Sequence, residues 1–171
     1  MATTYTLINS NVLSSSAASV TFSSIPATYT DLVLRFSTRD TGGGTISDVW
    51  LRFNSSSSSY SYTVLYGTGS SAGSFRGSAA AQSLLNYGDG NGATANTFSS
   101  GEVYVPNYAG SANKVHSVIH TQEDNATAAR INAGANLWSN SSAITELIIL
   151  PESSRSFVSG SSFYLYGLRS S

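Results

Sequence analysis

Apolar side chains recur at every second position in several short segments of the chain, the spacing of a half-buried β-strand. In Asp31–Ser37, Leu32, Leu34 and Phe36 share one face. In Asp48–Asn54, Val49, Leu51 and Phe53 share one face, with Trp50 and Arg52 opposite. Val115, Ser117 and Ile119 alternate with His116, Val118 and His120. Ile144–Leu150 is an apolar run of strand length, and Ser162–Leu168 closes the chain with an aromatic strand pattern. Weaker strand patterns lie at Tyr5–Ile8, Ser19–Phe22, Tyr60–Tyr66, Gly101–Val105 and Ala129–Leu137. β-Branched and aromatic residues dominate these segments, as a pleated, half-buried surface favours.

Turn chemistry separates the segments: Ile25-Pro26-Ala27, Thr41-Gly42-Gly43-Gly44, Ser55–Ser59, Gly88–Gly92 and Val105-Pro106-Asn107. Strands at this spacing, with no long helical period, predict an all-β protein, a jelly-roll-like antiparallel β-sandwich of about eight to ten strands. One domain over 1–171 is expected, since no linker composition divides the chain. Gly67–Gly92 is rich in small residues and reads as an irregular excursion at one end of the sandwich. Within it, Ser78–Asn86 reads as either a short helix or a loop.

Composition sharpens this picture. Charged residues are 10% of the chain, the net charge is −1, and Lys114 is the single lysine. A phosphate-binding surface needs clustered cations, so nucleic acid is not an expected partner. Strand edges are usually guarded by charge, lysine above all. A chain this poor in charge is expected to close its edges by pairing or to bury them against neighbouring subunits. The 35 serines and 16 threonines would suit disorder, but 40% hydrophobic and 11% aromatic residues suit a packed core. No apolar run reaches the ~18 residues of a membrane helix, and the start carries no secretory pattern. Cysteine is absent, which excludes disulfides, cysteine nucleophiles and thiolate metal sites.

Several motifs carry possible chemistry. Gly69-Ser70-Ser71-Ala72-Gly73 fits G-x-S-x-G. That motif needs a strand–elbow–helix setting to lift the serine towards a histidine, and no such setting surrounds Ser71. His116 and His120 would share a helix face, but a strand places them roughly 13 Å apart, too far for one metal held by ~2.1 Å bonds. They read as polar residues on a solvent-facing strand, with a metal shared between subunits as the other option. Asp89–Gly92 lacks the distal ligands of a calcium loop and, like Gln122–Asn125, reads as a turn. Glu102, Glu146 and Glu152 would form a glycosidase pair only if folding brought them together. Asn54, Asn125 and Asn140 open N-x-S/T triplets, which a serine-rich chain produces by chance. No catalytic residue, metal or cofactor is expected. Trp50, Tyr60, Tyr62, Tyr66, Tyr104 and Tyr108 are the candidate site residues, for stacking on a glycan or for packing at subunit interfaces.

Five segments carry a resemblance: Ala18–Leu32, Glu102–Tyr108, Glu123–Thr127, Leu137–Thr145 and Tyr164–Leu168, together with the opening Tyr5–Ile8. These resemble small β-sandwich virion proteins of tailed bacteriophages, of the marine and cyanobacterial type, over most of the chain except Gly67–Gly92. The resemblance implies a non-enzymatic structural protein on the particle, decorating or cementing the capsid, or else part of a tail fibre or appendage that binds a host glycan. It implies assembly in the bacterial cytoplasm and residence in the virion, with the major capsid protein or other virion proteins as partners. A homotrimer is the expected state, with no nucleic acid and no membrane as partner and a glycan as a possible ligand.

Overall fold

The computed structural model describes residues 4–125 and 129–169, which form twelve strands and no helix. In chain order these are β1 (Tyr5–Val12), β2 (Val20–Phe22), β3 (Asp31–Thr38), β4 (Ile46–Phe53), β5 (Tyr60–Gly67), β6 (Ala72–Ala80), β7 (Ser83–Asp89), β8 (Ser99–Val105), β9 (Lys114–Glu123), β10 (Ala129–Trp138), β11 (Leu147–Pro151) and β12 (Ser162–Leu168). Two antiparallel sheets result. The large sheet has the order β1-β12-β3-β8-β9-β10-β5-β6, and the small one β2-β11-β4-β7. The fold is therefore all-β and sandwich-like, with more strands than the eight to ten expected.

Alternation sets the interior. Leu32, Leu34 and Phe36 of β3 and Phe163 and Leu165 of β12 are buried against Val49, Leu51 and Phe53 of β4 and Leu147 and Ile149 of β11. Polar clamps join the loops at the rim of this core. The buried Arg39 guanidinium donates to the carbonyls of Asn91, Ala93, Thr94 and Thr97 at 2.8–3.1 Å. Asn54, at φ 50°, accepts from the amides of Thr145 and Glu146 through Oδ1 and donates to the Ala143 carbonyl through Nδ2. The single lysine is buried too, and its ammonium donates to the carbonyls of Gly110, Ala112 and Ser141.

The excursion expected at 67–92 is instead ordered strand: β6 is an edge of the large sheet and β7 an edge of the small one. The helix-or-loop segment Ser78–Asn86 is the end of β6, a two-residue crossing to the other sheet, and the start of β7. Bulges with positive φ at Ala79 (53°) and Asn86 (75°) bend the chain at this crossing, which is how a strand changes direction without a loop.

Candidate functional site

β9 and β10 reverse the usual polarity of a sandwich strand. Val115, Ser117, Ile119 and Thr121 point outward from the large sheet, while Lys114, His116, His120 and Gln122 point inward, with Val118 as the one apolar residue on that side. On β10, Ile131, Ala133 and Ala135 face out and Asn132, Gly134 and Asn136 face in. The pairing register sets Leu65 of β5, Ala133 and Ile119 side by side, and likewise Leu137 and Val115. The result is an apolar band on the outer face, with Leu65, Val115, Ile119 and Ile131 each 53–61% exposed. No charged side chain lies among the outward positions of β5 and β10 or between 115 and 121 on β9. At the side of the band towards β8 and β3 lies a shallow depression bounded by Ile119, Thr121, Glu102, Arg35 and Tyr164. Arg35 and Glu102 pair there at 2.8 Å on the exposed surface.

The inward side is correspondingly polar and packs under β7. His120 Nδ1 donates to the Leu85 carbonyl at 2.8 Å. His116 Nδ1 faces the Lys114 carbonyl at 3.3 Å, which leaves Nε2 as the acceptor for the Ser83 hydroxyl at 2.7 Å. Burial lowers the pKa of both rings to about 4, because a charged imidazolium would lose its hydration there. Both are therefore neutral at pH 7. Asn86, Asn132 and Asn136 lie in the same layer, and the amide nitrogens of Asn86 and Asn136 flank the space where Gly134 has no side chain. The solvent-facing placement expected for the two histidines is thus corrected: both are buried, and β7 supplies a hydroxyl to His116 and a carbonyl to His120. A single metal between them is not what they serve, since each ring has its own β7 partner. Among the described residues, no group of three or more His, Asp or Glu is placed to hold a metal ion.

The six candidate aromatics divide three ways. Tyr60 and Tyr108 are core residues, fully buried. The Tyr60 hydroxyl accepts from the Phe53 amide and its ring stacks on Trp138 at 6.1 Å, while the Tyr108 hydroxyl donates to the Pro26 carbonyl. Neither can meet a ligand. Tyr104 stands on the outer face, its hydroxyl donating to Asp31 at 2.8 Å. Trp50, Tyr62 and Tyr66 do come together. Tyr62 touches Trp50 edge-on at 6.3 Å and Phe75 at 6.4 Å, and Phe75 links on to Tyr66 and Tyr87. Arg130 lies over the Tyr87 ring at 4.5 Å. Phe75 and Tyr87 complete this half-buried cluster; both lie in the 67–92 segment, whose small residues hid its strand character.

The remaining motifs are dispersed. Ser71 sits in the tight β5–β6 turn, its Oγ 2.9 Å from Thr68 Oγ1. The serine that does meet a histidine is Ser83, and that pair is sealed from solvent. Glu102 lies on the large sheet, whereas Glu146 and Glu152 flank β11 at its two ends. Glu146 accepts from Ser55 and Glu152 pairs with Arg155, both within 2.8 Å. Asp89 is buried, which raises its pKa, with Gln122 and Thr97 beside it. Asn54 is spent on its backbone clamp, and Asn140 on the Ser142 amide at 2.8 Å. The Asn125 triplet extends into 126–127, outside the described residues.

No family model matches the chain, and comparison with curated proteins and with solved structures returned no match.

Proposed function

We propose that this chain is a non-enzymatic structural protein of a bacteriophage particle, decorating or cementing the capsid, and that it docks through the outer face of its large sheet. The observation that carries this reading is the exposed aliphatic band of Leu65, Val115, Ile119 and Ile131, which on β9 and β10 backs onto the inward-facing polar residues Lys114, His116, His120, Gln122, Asn132 and Asn136 beside Val118 and Trp138. Exposed aliphatics scattered singly are ordinary, but contiguous ones on adjacent strands mark contact surfaces. Covering them releases roughly 25 cal/mol per Å² of apolar area. A protein that binds only the assembled shell stabilises that shell by mass action. The segments similar to phage virion proteins supply the setting; the band supplies the means of attachment. The test adds purified protein to particles of the parent phage lacking it and measures co-sedimentation and the temperature of genome release. Saturable binding with a raised release temperature is expected, and an Ile131→Asp variant should bind less. Particles that neither bind nor gain heat resistance would reject the reading.

A second reading rests on a different observation, the convergence of Trp50, Tyr62 and Tyr66 into one half-exposed cluster. Rings arranged in this way can stack on a sugar, as the appendage alternative requires. Glycan-array binding by the wild type that disappears in Trp50→Ala would favour it over capsid decoration.

A further inference from the structure

We infer that the outer face of β4 reads an acidic saccharide, with Trp50 as the stacking ring, Arg52 as the partner of a sugar carboxylate and Asp48 as the acceptor for sugar hydroxyls. This inference rests on the glycan reading above and names the class of glycan. Burial alternates strictly along β4, so Asp48, Trp50 and Arg52 form one row on the side turned away from the core. Two residues of a strand advance ~6.8 Å, which spreads the row over ~13 Å and suits a short oligosaccharide lying along the strand.

Arg52 borders a concavity of about 380 Å³, lined also by Leu150, the cross-strand neighbour of Trp50, and by the 151–155 segment. That volume lies at the small end of the ~300–1,000 Å³ range of ligand pockets. The two arginines of the concavity differ in what they already hold. Arg155 is spent on Glu152 and on the Ser47 hydroxyl, each at 2.8 Å. Arg52 donates through Nε to Gln82 Oε1 at 3.1 Å, and among the described residues no carboxylate pairs with it. A guanidinium held at Nε offers its two terminal nitrogens as the planar fork that matches a carboxylate. Glu152 does not cancel this attraction, because Arg155 neutralises it. Asp48 lies ~13 Å away along the strand, beyond the ~8 Å screening length of physiological salt.

Asp48 supplies the other end of the row. No hydrogen bond to its carboxylate is formed within the described residues; its neighbours are the charges of Glu152, Arg155 and Asp40 and the rings of Tyr62 and Tyr87. Desolvation is the main cause that raises its pKa to about 6, so at pH 7 the fold carries a charge that it does not use. Two positions from an aromatic ring, such a carboxylate can accept from the hydroxyls of a sugar stacked on that ring, and a few placed polar groups of this kind fix a ligand's orientation.

An array of neutral and carboxylated glycans, probed with the labelled full-length protein, tests this. Binding is expected on glycans bearing uronic or sialic acid and should vanish where the same carboxylate is methyl-esterified. Arg52→Gln should weaken it by roughly tenfold or more, and Arg52→Lys by less, since lysine keeps the charge without the fork. Should Arg52→Gln fail to fold, the lysine variant carries the comparison. Asp48→Asn should also bind more weakly, yet unfold at a temperature no lower than wild type, because it discards a desolvated charge; a merely structural role would lower both. Arg76→Gln, the same loss of charge on the large sheet, should bind like wild type. Equal binding of neutral and carboxylated glycans, or unchanged binding by folded Arg52 variants, rejects the acidic saccharide and leaves the glycan reading in place. A protein that binds no glycan rejects both.

Discussion

The Ser83 hydroxyl donates to His116 Nε2 across 2.7 Å inside the sandwich, with the opposite ring nitrogen committed to the Lys114 carbonyl. The contact has the outline of a nucleophile and its base. Both residues are buried to within 1% of full enclosure, however, so no substrate reaches it. Its effect is structural: it fixes one tautomer and ties β7 to β9, as His120 does through the Leu85 carbonyl. Ser83 and the Leu85 carbonyl each meet one ring with a hydrogen bond, which offsets part of the roughly 1–3 kcal/mol that an unmet buried group costs. The ammonium of Lys114, on the same side of β9, is met by the carbonyls of Gly110, Ala112 and Ser141.

Acid should weaken this tie. The two rings titrate at about 4 when folded, against an ordinary 6.5. Between those values the unfolded chain binds protons that the folded chain refuses, so stability falls as pH drops from 6.5 towards 4. The loss is roughly 3 kcal/mol per ring. Asp48 acts the other way: desolvation raises it to about 6, so its folded form gains a proton earlier and stability is recovered on acidification. Asp89 is raised by burial in the same sense. Comparing His120→Gln with wild type isolates the histidine. Urea unfolding should show the variant less stable at pH 7 and closing that gap by roughly 2–3 kcal/mol by pH 4.5. A gap independent of pH would show that His120 is not a buried neutral ring.

Arg39 should be the most sensitive charged position. Its guanidinium satisfies four carbonyls of the 91–97 connection and the Thr97 hydroxyl. A lysine cannot reproduce that planar fork, and the carbonyls would be left unmet. Arg39→Lys should lower stability by on the order of 3 kcal/mol, and amide exchange in 91–97 should accelerate first. A loss below about 0.5 kcal/mol, the size of an ordinary surface change, would refute the clasp.

Much of the interior was legible in the sequence. Period two in β3 and β4 marked the faces that bury: Leu32, Leu34 and Phe36 share one parity, as do Val49, Leu51 and Phe53, although Val33 and Trp50 stand on the other. β9 was ambiguous for a physical reason: alternation defines two faces but not which one points inward. Both faces hold apolar residues, and the choice depends on partners in β7, more than twenty-five positions earlier. The 67–92 segment was misread because its strand character resides in its neighbours. Gly73 and Gly77 carry no β signal of their own, yet they face Tyr66 and Tyr62 in the ladder with β5. The aromatic candidates were half legible, since sequence shows which rings exist but not which of them, like Tyr60 and Tyr108, the core consumes.

Asn54 offers a test of a loop clamp. It combines a left-handed backbone, which asparagine tolerates well, with hydrogen bonds to Ala143, Thr145 and Glu146. Asn54→Ala removes the bonds and keeps a Cβ at positive φ, so a loss of about 2–3 kcal/mol is expected. Asn54→Gly relieves the backbone and should lose less. Equal losses in thermal unfolding would place the whole effect in the hydrogen bonds; a smaller loss for alanine than for glycine would contradict the clamp.

The two glycines of β6 make the opposite demand from ordinary strand preference. A valine normally suits a strand better than a glycine. Here a Cβ at Gly77 would run into the Tyr62 ring, and one at Gly73 into the Tyr66 ring. The tyrosines lie across the glycines and cover the backbone there, an arrangement that stabilises glycine in sheets. Gly77→Val should therefore destabilise by about 1–3 kcal/mol through overpacking and, because Tyr62 rests on Trp50, alter the near-ultraviolet circular dichroism. Ser74, opposite Leu65 on the outer face, has no ring above it, so Ser74→Val should stay within about 0.5 kcal/mol of wild type. If Gly77→Val proved as stable as Ser74→Val with an unchanged aromatic spectrum, the aromatic cluster would not depend on these glycines, and the close approach of β6 to the tyrosines would have no part in holding the edge of the large sheet.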